Sequence, residues 1–424
     1  MVPIVSTRNK MARWSALAAV PSLVLVVLGA GCELDISLGR HDVDEGADPI
    51  DPEDDGSWPD ATQGLGGFDG GKICAPGAND DADGDGFTIA EGDCDDCVAA
   101  VNPNSIEVLS PAGADEDCDG IVDEVDPSCD ADLVLDDGDP MAAARAIELC
   151  KMATATEWGL VEARWVPPDG ADPPSEALDA YHLGHGIVDD FGPAVSPRRG
   201  TRMLAISSGT ARRPEDEGHR DASGFDKDYG SDHPPGFPKE SPGCDAITGE
   251  PRDGIGLEVV LRAPANARGI AFDFDFYTYE WPQSVCTESN DFFVALMDPP
   301  PLNQPDGNIS FDSQGNPVSV NNAFLDVCAC DGASQGPCEA GGKLFECSMG
   351  DAELFGTGYG ADTEPEGHAA TSWLVTEAPV TPNDTVSIRF AIYDSKNGDF
   401  DSLTLVDNVR WLAQSAFGTS RVPK

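Results

Sequence analysis

In the second half of the chain, apolar and polar residues alternate with a period of two. The clearest example is Phe272, Phe274 and Phe276, which alternate with Asp273 and Asp275. Similar alternation occurs at Leu257, Val259 and Leu261, at Val386, Ile388, Phe390 and Ile392, and at Leu403 and Leu405. Because successive side chains of a strand point to opposite faces, this pattern predicts half-buried β-strands. Many short strands separated by Asp, Gly and Asn turns predict a mainly β protein with a β-sandwich or jelly-roll-like domain.

One stretch has helical spacing instead. The residues MAAARAIELCK follow Asp139-Pro140, and Asp139 is a candidate N-cap. This combination predicts one short helix that ends near Lys151. The helix and the strands that follow it are assigned to one domain, residues 138–424.

The N-terminus has the order of an export signal. Residues 14–31 are apolar or small, and they follow the cations Arg8, Lys10 and Arg13 without any acid, as in a signal peptide. Pro21 and two closing glycines leave this run at the short end of the ~20 residues that a spanning helix needs. Residues 1–31 are therefore predicted to be a cleaved signal peptide.

The end of this run, Leu28-Gly29-Ala30-Gly31-Cys32, resembles a bacterial lipobox. The resemblance implies cleavage before Cys32 and attachment of that cysteine to a membrane by lipid. Glu33 stands where inner-membrane lipoproteins carry an aspartate, so the resemblance also implies the outer membrane, on its periplasmic face or at the cell surface. An ordinary soluble signal peptide is the alternative.

Residues 32–71 are acidic, rich in Gly and Pro and nearly free of aliphatic residues, which predicts a flexible tether. The whole chain has a formal charge of −52, and loss of the three leader cations makes it −55. Such a charge repels nucleic acid and anionic lipid surfaces. Cations are the expected partners.

Cysteine parity agrees with export. The chain has 13 cysteines, and assigning Cys32 to lipid leaves an even number, as disulfide pairing in an oxidising compartment predicts. The candidates form two sets of three bridges: Cys74, Cys94, Cys97, Cys118, Cys129 and Cys150, then Cys244, Cys286, Cys328, Cys330, Cys338 and Cys347. The connectivity within each set stays open.

The stretch from Asp115 to Asp126 has carboxylates at loop positions 1, 3, 5, 9 and 12. These are Asp115, Asp117, Asp119, Asp123 and Asp126, with Gly120 at the sixth position. This is the ligand order of an EF-type calcium loop, in which the glycine permits a sharp bend and the seventh residue offers its carbonyl. An all-oxygen site of this kind suits calcium.

An earlier loop begins in the same way, with Asp81, Asp83, Asp85 and Gly86. Its twelfth position is Gly92, so Glu91 or Asp93 must complete the shell. We assign residues 72–130 to a calcium-binding segment that contains both loops. Zinc on Cys74, Cys94, Cys97 and Cys118 and a merely solvated acidic linker are the alternatives. Zinc leaves the ordered spacing of the aspartates unexplained, and an acidic linker does not predict a glycine at the sixth position of both loops.

Together, DADGDGFTIAEGDCDD and DEDCDGIVDE resemble a short metal-binding motif of secreted bacterial proteins related to a surface copper-binding protein. The resemblance covers roughly residues 79–130. The copper assignment is not carried over, because the acids themselves favour calcium.

Residues from about 144 to 412 resemble the choice-of-anchor L domain of bacterial surface proteins. The matching pieces are Tyr279-Glu280, Asn290-Asp291-Phe292-Phe293, Asn308-Ile309, Pro317-Val318-Ser319-Val320 with Asn321-Asn322, and Ala391-Ile392-Tyr393-Asp394 before Asp401-Ser402. The resemblance implies an exported β-sandwich, attached by varied anchors and without an established activity.

Several acids of this domain come from predicted strand ends and turns. If they converge at one end of the sandwich, Glu280, Asp291, Asp394, Asp399 and Asp401 form a second metal site, with Asp407 as a further member of the set. The alternative is that these acids cap turns and face water.

Three functions follow from these patterns. The favoured one is a non-catalytic, calcium-binding envelope or cell-surface protein that binds a surface glycan or a protein, with Trp281, Trp373 and Trp411 as a candidate sugar-stacking platform. A glycosidase-like hydrolase with paired carboxylates and a passive structural component of the envelope are the alternatives. His182 and His185 are expected to be structural or exposed to solvent.

Overall fold

The computed structural model describes residues 74–109, 113–239, 241, 244, 249–312, 315–321, 324–329, 337–360 and 368–421. The predicted signal peptide, Cys32, the tether 32–71 and Cys330 lie outside the described residues. Within the described residues, no helix has the length and apolar character needed to cross a membrane.

The described residues form two α-helices and fifteen β-strands. The helices are α1 (Pro140–Ala146) and α2 (Leu178–Leu183), and short 3₁₀ turns occur at Ile89–Glu91 and Ala352–Leu354. The strands are β1 (Gly159–Val166), β2 (His185–Val188), β3 (Met203–Ser207), β4 (Pro251–Arg262), β5 (Gly269–Thr278), β6 (Phe292–Asp298), β7 (Val318–Ser319), β8 (Val327–Cys328), β9 (Cys338–Ala340), β10 (Lys343–Phe345), β11 (Ala369–Ala370), β12 (Leu374–Pro379), β13 (Thr385–Ser395), β14 (Ser402–Leu412) and β15 (Gly418–Arg421).

Helix α1 begins as the sequence predicts. The side chain of Asp139 accepts a hydrogen bond of 2.9 Å from the backbone N–H of Met141, which satisfies one of the free donors of the first turn. The helix ends at Ala146, earlier than the predicted Lys151, because the backbone leaves the helical conformation at Ile147 and Glu148.

Two antiparallel sheets form the domain. The five-stranded sheet has the order β1-β4-β13-β6-β7, and the eight-stranded sheet has β15-β12-β5-β14-β3-β2 as its main path, with β11 and β8 attached beside β5. Strands β9 and β10 form a separate hairpin. The prediction of a mainly β fold with a sandwich-like domain is confirmed.

The main apolar core lies between the two sheets. Phe272 of β5 meets Phe390 of β13 edge-to-face with ring centroids 4.8 Å apart, and Phe274 lies 4.9 Å from Phe293 of β6. Aromatic pairs of this kind stabilise a core beyond the burial of their area alone. The alternating apolar positions therefore point into the interior, as predicted.

The other face of the eight-stranded sheet is also covered, which the sequence did not predict. All ten residues of β5 are buried, because Phe191 and Tyr359 from the connecting segments pack against Tyr277 with centroids 5.1 and 5.8 Å away. The expectation of a half-buried β5 is wrong. Asp273 is accommodated there by ion pairs with arginines, including Arg410 at 2.9 Å.

The described part of the 72–130 segment has a different interior. None of its apolar residues is buried, whereas polar residues such as Asp93, Asp96 and Asn102 are. It is attached to the sandwich by reciprocal hydrogen bonds between Ile106 and the side chain of Asn266, at 2.8 and 2.9 Å. Disulfides and polar contacts therefore replace an apolar core in this segment.

Candidate metal centres

Five aspartates meet around the first loop, and we call this group cage 1. The ligand oxygens of Asp81, Asp83 and Asp85 lie within 4.8 Å of one another, and so do those of Asp83, Asp93 and Asp96. Asp83 belongs to both triplets and is therefore the central member. Carboxylates this close together repel one another unless a cation or protons intervene.

The second loop forms a matching group, cage 2. The ligand oxygens of Asp115, Asp117 and Asp119 lie within 4.8 Å of one another, as do those of Glu107, Asp117 and Glu124. Asp117 holds the central place that Asp83 has in cage 1. Both central residues are the third position of their loop.

Backbone N–H groups hold the carboxylates of both loops in the same way. The first-position acid accepts from the sixth-position glycine, with Gly86 donating to Asp81 at 3.2 Å and Gly120 donating to Asp115 at 3.0 Å. Both glycines have a positive φ, 98° and 94°, which favours glycine. The shared glycine thus has the conformational role that the sequence pattern assigns to it.

Several carboxylate oxygens of the cages have no hydrogen-bond partner although they are buried: Asp83 Oδ2, Asp93 Oδ2, Asp96 Oδ2 and Glu124 Oε2. The other oxygen of Asp96 accepts from the N–H of Ala82 at 2.6 Å, and that of Asp93 accepts from Asp95 at 2.9 Å. One oxygen of each aspartate is thus anchored. Asp93 and Asp96 are 3% and 2% exposed, so bulk solvent scarcely reaches these carboxylates.

The electrostatics of the cages follow from this crowding. Burial, and then the charge of Asp85, raises the pKa of Asp83 above the usual aspartate range. Burial also raises the pKa of Asp93 and of Asp117, with further contributions from neighbouring carboxylates. A divalent cation among these groups would favour their ionised forms.

The structure places most of the predicted loop ligands in the cages. Asp81, Asp83, Asp85 and Asp93 lie in cage 1, and Asp115, Asp117 and Asp119 lie in cage 2. Asp123 and Asp126 belong to neither group: the N–H of Asp123 donates to Glu107 at 2.7 Å, and Asp126 is exposed. Glu124, and not the predicted twelfth-position residue Asp126, therefore belongs to cage 2.

Sequence reasoning missed three cage members: Asp96, Glu107 and Glu124. Asp96 belongs to the Asp-Cys-Asp-Asp run, which was a usable signal. Glu107 precedes the second loop, and its Oε1 accepts from the N–H groups of Glu116 and Asp117 at 2.8 and 3.2 Å. No spacing rule for a single loop points to a residue that far upstream.

Disulfides tie the two cages together. Cys94 pairs with Cys118 across the loops, and Cys74 pairs with Cys97. These pairings consume the four thiols of the zinc alternative. The remaining bridges are Cys129–Cys150, Cys244–Cys286 and Cys328–Cys347, and Cys338 is also disulfide-bonded. The prediction of disulfide bonding is confirmed.

A second group of acids lies inside the sandwich, at one end of the strands, and we call it the interior acid cluster. It consists of Asp253, Glu280, Asp291, Asp394 and Asp401, each at most 1% exposed. Both carboxylate oxygens of Asp401 have no hydrogen-bond partner. Among the described residues, this cluster does not bring three ligand oxygens within 4.8 Å of one another.

The interior acid cluster has its own cation. Lys227 is buried beside Asp253 and Asp401, and its ammonium donates to the carbonyl of Ser207 at 3.1 Å. Burial lowers the pKa of Lys227 to about 8, although these acids oppose the shift. Burial raises the pKa of Asp291 to about 7. Sequence reasoning identified neither Lys227 nor Asp253 as members.

The remaining predicted acids lie apart from this cluster. Asp399 is exposed and accepts a hydrogen bond from Asn397, although its charge acts on Glu280. Asp407 is buried elsewhere and accepts from the N–H of Arg199 at 3.1 Å, and burial raises its pKa to about 7. The set predicted from sequence is therefore only partly brought together.

The two histidines form a local pair. Nδ1 of His182 and Nε2 of His185 lie 2.9 Å apart, and the ring of His185 stacks on Trp165 with centroids 4.0 Å apart. Burial lowers the pKa of His185 to about 3, so this ring is neutral at physiological pH. The pair packs against Trp165 of the sandwich. Among the described residues, no triplet of candidate metal ligands includes either histidine.

Residues 263–408 match the family model of the choice-of-anchor L domain. The match confirms, for residues 263–408, the resemblance drawn from the sequence motifs. A choice-of-anchor domain points to an exported or cell-surface module that is not known for enzymatic activity. No curated protein matches the chain.

Proposed function

We propose that this protein is a lipid-anchored, calcium-binding protein of the bacterial outer membrane that binds a partner at the cell surface rather than catalysing a reaction. The single observation that carries the calcium assignment is the pair of five-carboxylate cages. Cage 1 has three buried oxygens without a hydrogen-bond partner and cage 2 has one, and each belongs to a member of a carboxylate triplet. The match to a surface-type domain supports the cellular location.

Calcium fits these cages better than other common metals. Every candidate side-chain ligand is a carboxylate oxygen, which disfavours soft metals, and the nearby cysteines are paired in disulfides. A set of five carboxylates suits the variable shell of six to eight oxygens that calcium accepts, whereas magnesium requires a near-ideal octahedron. For an extracellular module we expect a Kd of about 10⁻⁴ to 10⁻³ M.

In this proposal, calcium supplies the stability that burial of apolar side chains gives to the sandwich. The described part of the 72–130 segment buries polar residues only, so its fold depends on disulfides, hydrogen bonds and neutralisation of its acids. A calcium-ordered segment would hold a fixed position on the sandwich through Asn266. The tether would then carry a folded binding unit.

The test is calcium titration of the full chain by calorimetry, together with metal analysis after dialysis. We expect two ions per chain, and we expect Asp83→Asn and Asp117→Asn each to abolish one of them, since these residues are central. Glu124→Gln should weaken cage 2, whereas Asp126→Asn should not. Absence of calcium binding, or loss of affinity in Asp126→Asn alone, would contradict this assignment.

The lipid anchor has a separate test. Expressed in a bacterium that processes lipoproteins, the protein should show the mass of a diacylated or triacylated Cys32 and should remain with the membrane fraction. The variant Cys32→Ala should lose both properties while it keeps its calcium sites. A mature protein that starts elsewhere and carries no lipid would refute the anchor and leave the calcium assignment intact.

A further inference from the structure

A cleft lies where the second calcium loop meets the sandwich. Its volume is about 500 Å³, and it extends from Ile106 and Glu107 across to Trp158 before β1 and Trp411 at the end of β14. Leu160 belongs to its apolar lining. This size is within the range of roughly 300–1,000 Å³ that is usual for small-molecule sites.

Two tryptophans give the cleft its aromatic surface. Trp158 and Trp411 both line it, and both are partly exposed rather than buried. The indole N–H of Trp158 donates to the carbonyl of Ser105 at 3.2 Å, which fixes this ring in place. Partly exposed indoles in a cleft offer a flat apolar face to a ligand.

The platform differs from the one that the sequence indicated. Trp281 is 1% exposed and packs edge-to-face on Phe345, and Trp373 lies under the guanidinium of Arg198. Of the three predicted tryptophans, Trp411 alone lines this cleft. Its companion, Trp158, was not singled out from the sequence.

Cage 2 forms part of the same cleft. Glu107, Asp117 and Glu124, which share one triplet of ligand oxygens, also line the cavity. A calcium ion held by these acids would border the cleft. Calcium readily completes its shell with ligand hydroxyls, because it accepts oxygen donors of many kinds in a flexible geometry.

The charges of the cleft favour a neutral ligand. Its two arginines are already engaged, because Arg199 pairs with Glu148 at 3.4 Å and Arg410 pairs with Asp273 at 2.9 Å. The ammonium of Lys151 lies 4.4 Å from the ring centroid of Trp158. The cavity thus provides no unpaired guanidinium for an acid, and its further cation, Lys151, lies over one face of Trp158, so a sugar that stacks on that face displaces the ammonium. A purely apolar ligand would desolvate the carboxylates of cage 2 at a cost.

We propose that this cleft binds a neutral saccharide of about two sugar units, with apolar sugar faces against Trp158 and Trp411 and hydroxyls directed at calcium in cage 2. This inference rests on the proposed function, since it requires calcium in that cage. It names the ligand class of the surface protein as a neutral glycan.

The test uses the full chain and a set of neutral disaccharides: lactose, maltose, cellobiose and N,N′-diacetylchitobiose, with digalacturonic acid as the charged comparison. Binding is followed by tryptophan fluorescence and calorimetry in millimolar calcium and in EDTA. We expect at least one neutral disaccharide to bind, and we expect EDTA to weaken that binding by about tenfold or more. Binding of the charged sugar alone, or binding that EDTA leaves unchanged, would overturn the proposal.

Variants separate stacking from folding. Trp411→Leu and Trp158→Leu should each weaken sugar binding by about tenfold, whereas Trp411→Phe should retain most of it. Trp373→Leu is the matched control outside the cleft and should bind sugar normally. Calcium titration of each variant checks that cage 2 is folded. A folded Trp411→Leu with unchanged sugar affinity would contradict the stacking role.

The two proposals fail in different ways. If calcium binds to the unmodified chain but no neutral disaccharide does, the cleft proposal is wrong and the calcium assignment stands. If neither calcium nor sugar binds, both are wrong.

Discussion

The two acid groups of this protein differ in what balances their charge. The interior acid cluster contains Lys227, a buried cation placed among carboxylates that come from several strands. The cages contain only carboxylates, which accept hydrogen bonds from backbone N–H groups and include four buried oxygens without a hydrogen-bond partner. Acidic residues alone therefore do not define a metal site. What distinguishes the cages is that their ligand oxygens lie within 4.8 Å of one another and that no internal cation balances them.

The surroundings of the two groups differ as well. The interior acid cluster lies in a domain with an extensive apolar core, so the cost of its buried charges is offset by the packing around it. The cages lie in a segment that buries no apolar side chain among its described residues. We therefore expect loss of the internal cation to damage the sandwich, and loss of calcium to damage the loops.

The largest effect should come from removing the internal cation. Lys227→Met leaves the acids beside it without a positive charge in a buried place, and breaking such an arrangement typically costs about 3–5 kcal/mol. Denaturant unfolding should report this loss in the free energy of unfolding. Lys396→Met is the matched control, because Lys396 pairs with Glu288 where both side chains are more than half exposed, and exposed pairs contribute less than about 1 kcal/mol. Equal losses of unfolding free energy in Lys227→Met and Lys396→Met would show that Lys227 does not balance the charge of the interior acid cluster.

Calcium should have the next largest effect, and it should act on the loops. At a concentration about 100-fold above Kd, a bound ligand stabilises the folded state by about 2.7 kcal/mol. Limited proteolysis should then cut within residues 74–130 in EDTA and spare this segment in millimolar calcium. Magnesium at the same concentration serves as the control and should protect less. Protection that is the same in calcium and in EDTA would show that the disulfides alone order the segment.

A smaller effect separates two adjacent aspartates, one inside cage 1 and one outside it. Asp96→Asn removes a buried carboxylate whose Oδ2 has no hydrogen-bond partner, whereas Asp95→Asn alters an exposed neighbour that belongs to no ligand triplet. We expect the first change to weaken calcium binding by about tenfold and the second to leave it nearly unchanged. Calorimetry measures both affinities. A similar loss in both variants would mean that general negative charge, not the cage geometry, attracts calcium.

The sequence predicted what depends on short spacing and missed what depends on distant contacts. Alternation at Phe272, Phe274 and Phe276 correctly predicted strand β5 and its core face, since the side-chain period of a strand is local. The burial of its second face depends on Phe191 and Tyr359, which come from far along the chain. Periodicity carries no information about such coverage.

The same division applies to the acid groups. The first, third and fifth loop positions follow from the geometry of one turn, and the predicted aspartates at these positions do lie together. Glu107 reaches cage 2 from outside its loop, so loop spacing could not identify it. Lys227 occurs in the polar stretch Asp226-Lys227-Asp228, which has the composition of a solvated turn. Its burial is a consequence of tertiary packing.

The smallest expected effect is a difference in the sign of the pH response. In the cages, protons compete with calcium, and the raised pKa values of Asp83, Asp93 and Asp117 move this competition toward neutral pH. Calcium affinity should therefore fall by roughly threefold between pH 7 and pH 5, as calorimetry in matched buffers would measure. A calcium affinity that is the same at both pH values would contradict the raised pKa values of these three aspartates.

The interior acid cluster should respond in the opposite direction. Burial raises the pKa of Asp253 to about 6 in the folded state, above its ordinary value of 3.8. A carboxyl group with a raised pKa contributes its stability fully below the unfolded value, and this contribution is lost as the pH rises through about 6. Denaturant unfolding in EDTA should thus show a contribution that declines from pH 4 to pH 7 and is reduced in Asp253→Asn. The contrary outcome is a stability in EDTA that rises from pH 4 to pH 7 and no longer rises in Asp253→Asn. It would mean that Lys227 holds the Asp253 carboxylate in its charged form. The two acid groups would then differ in their cation but not in the sign of their response to pH.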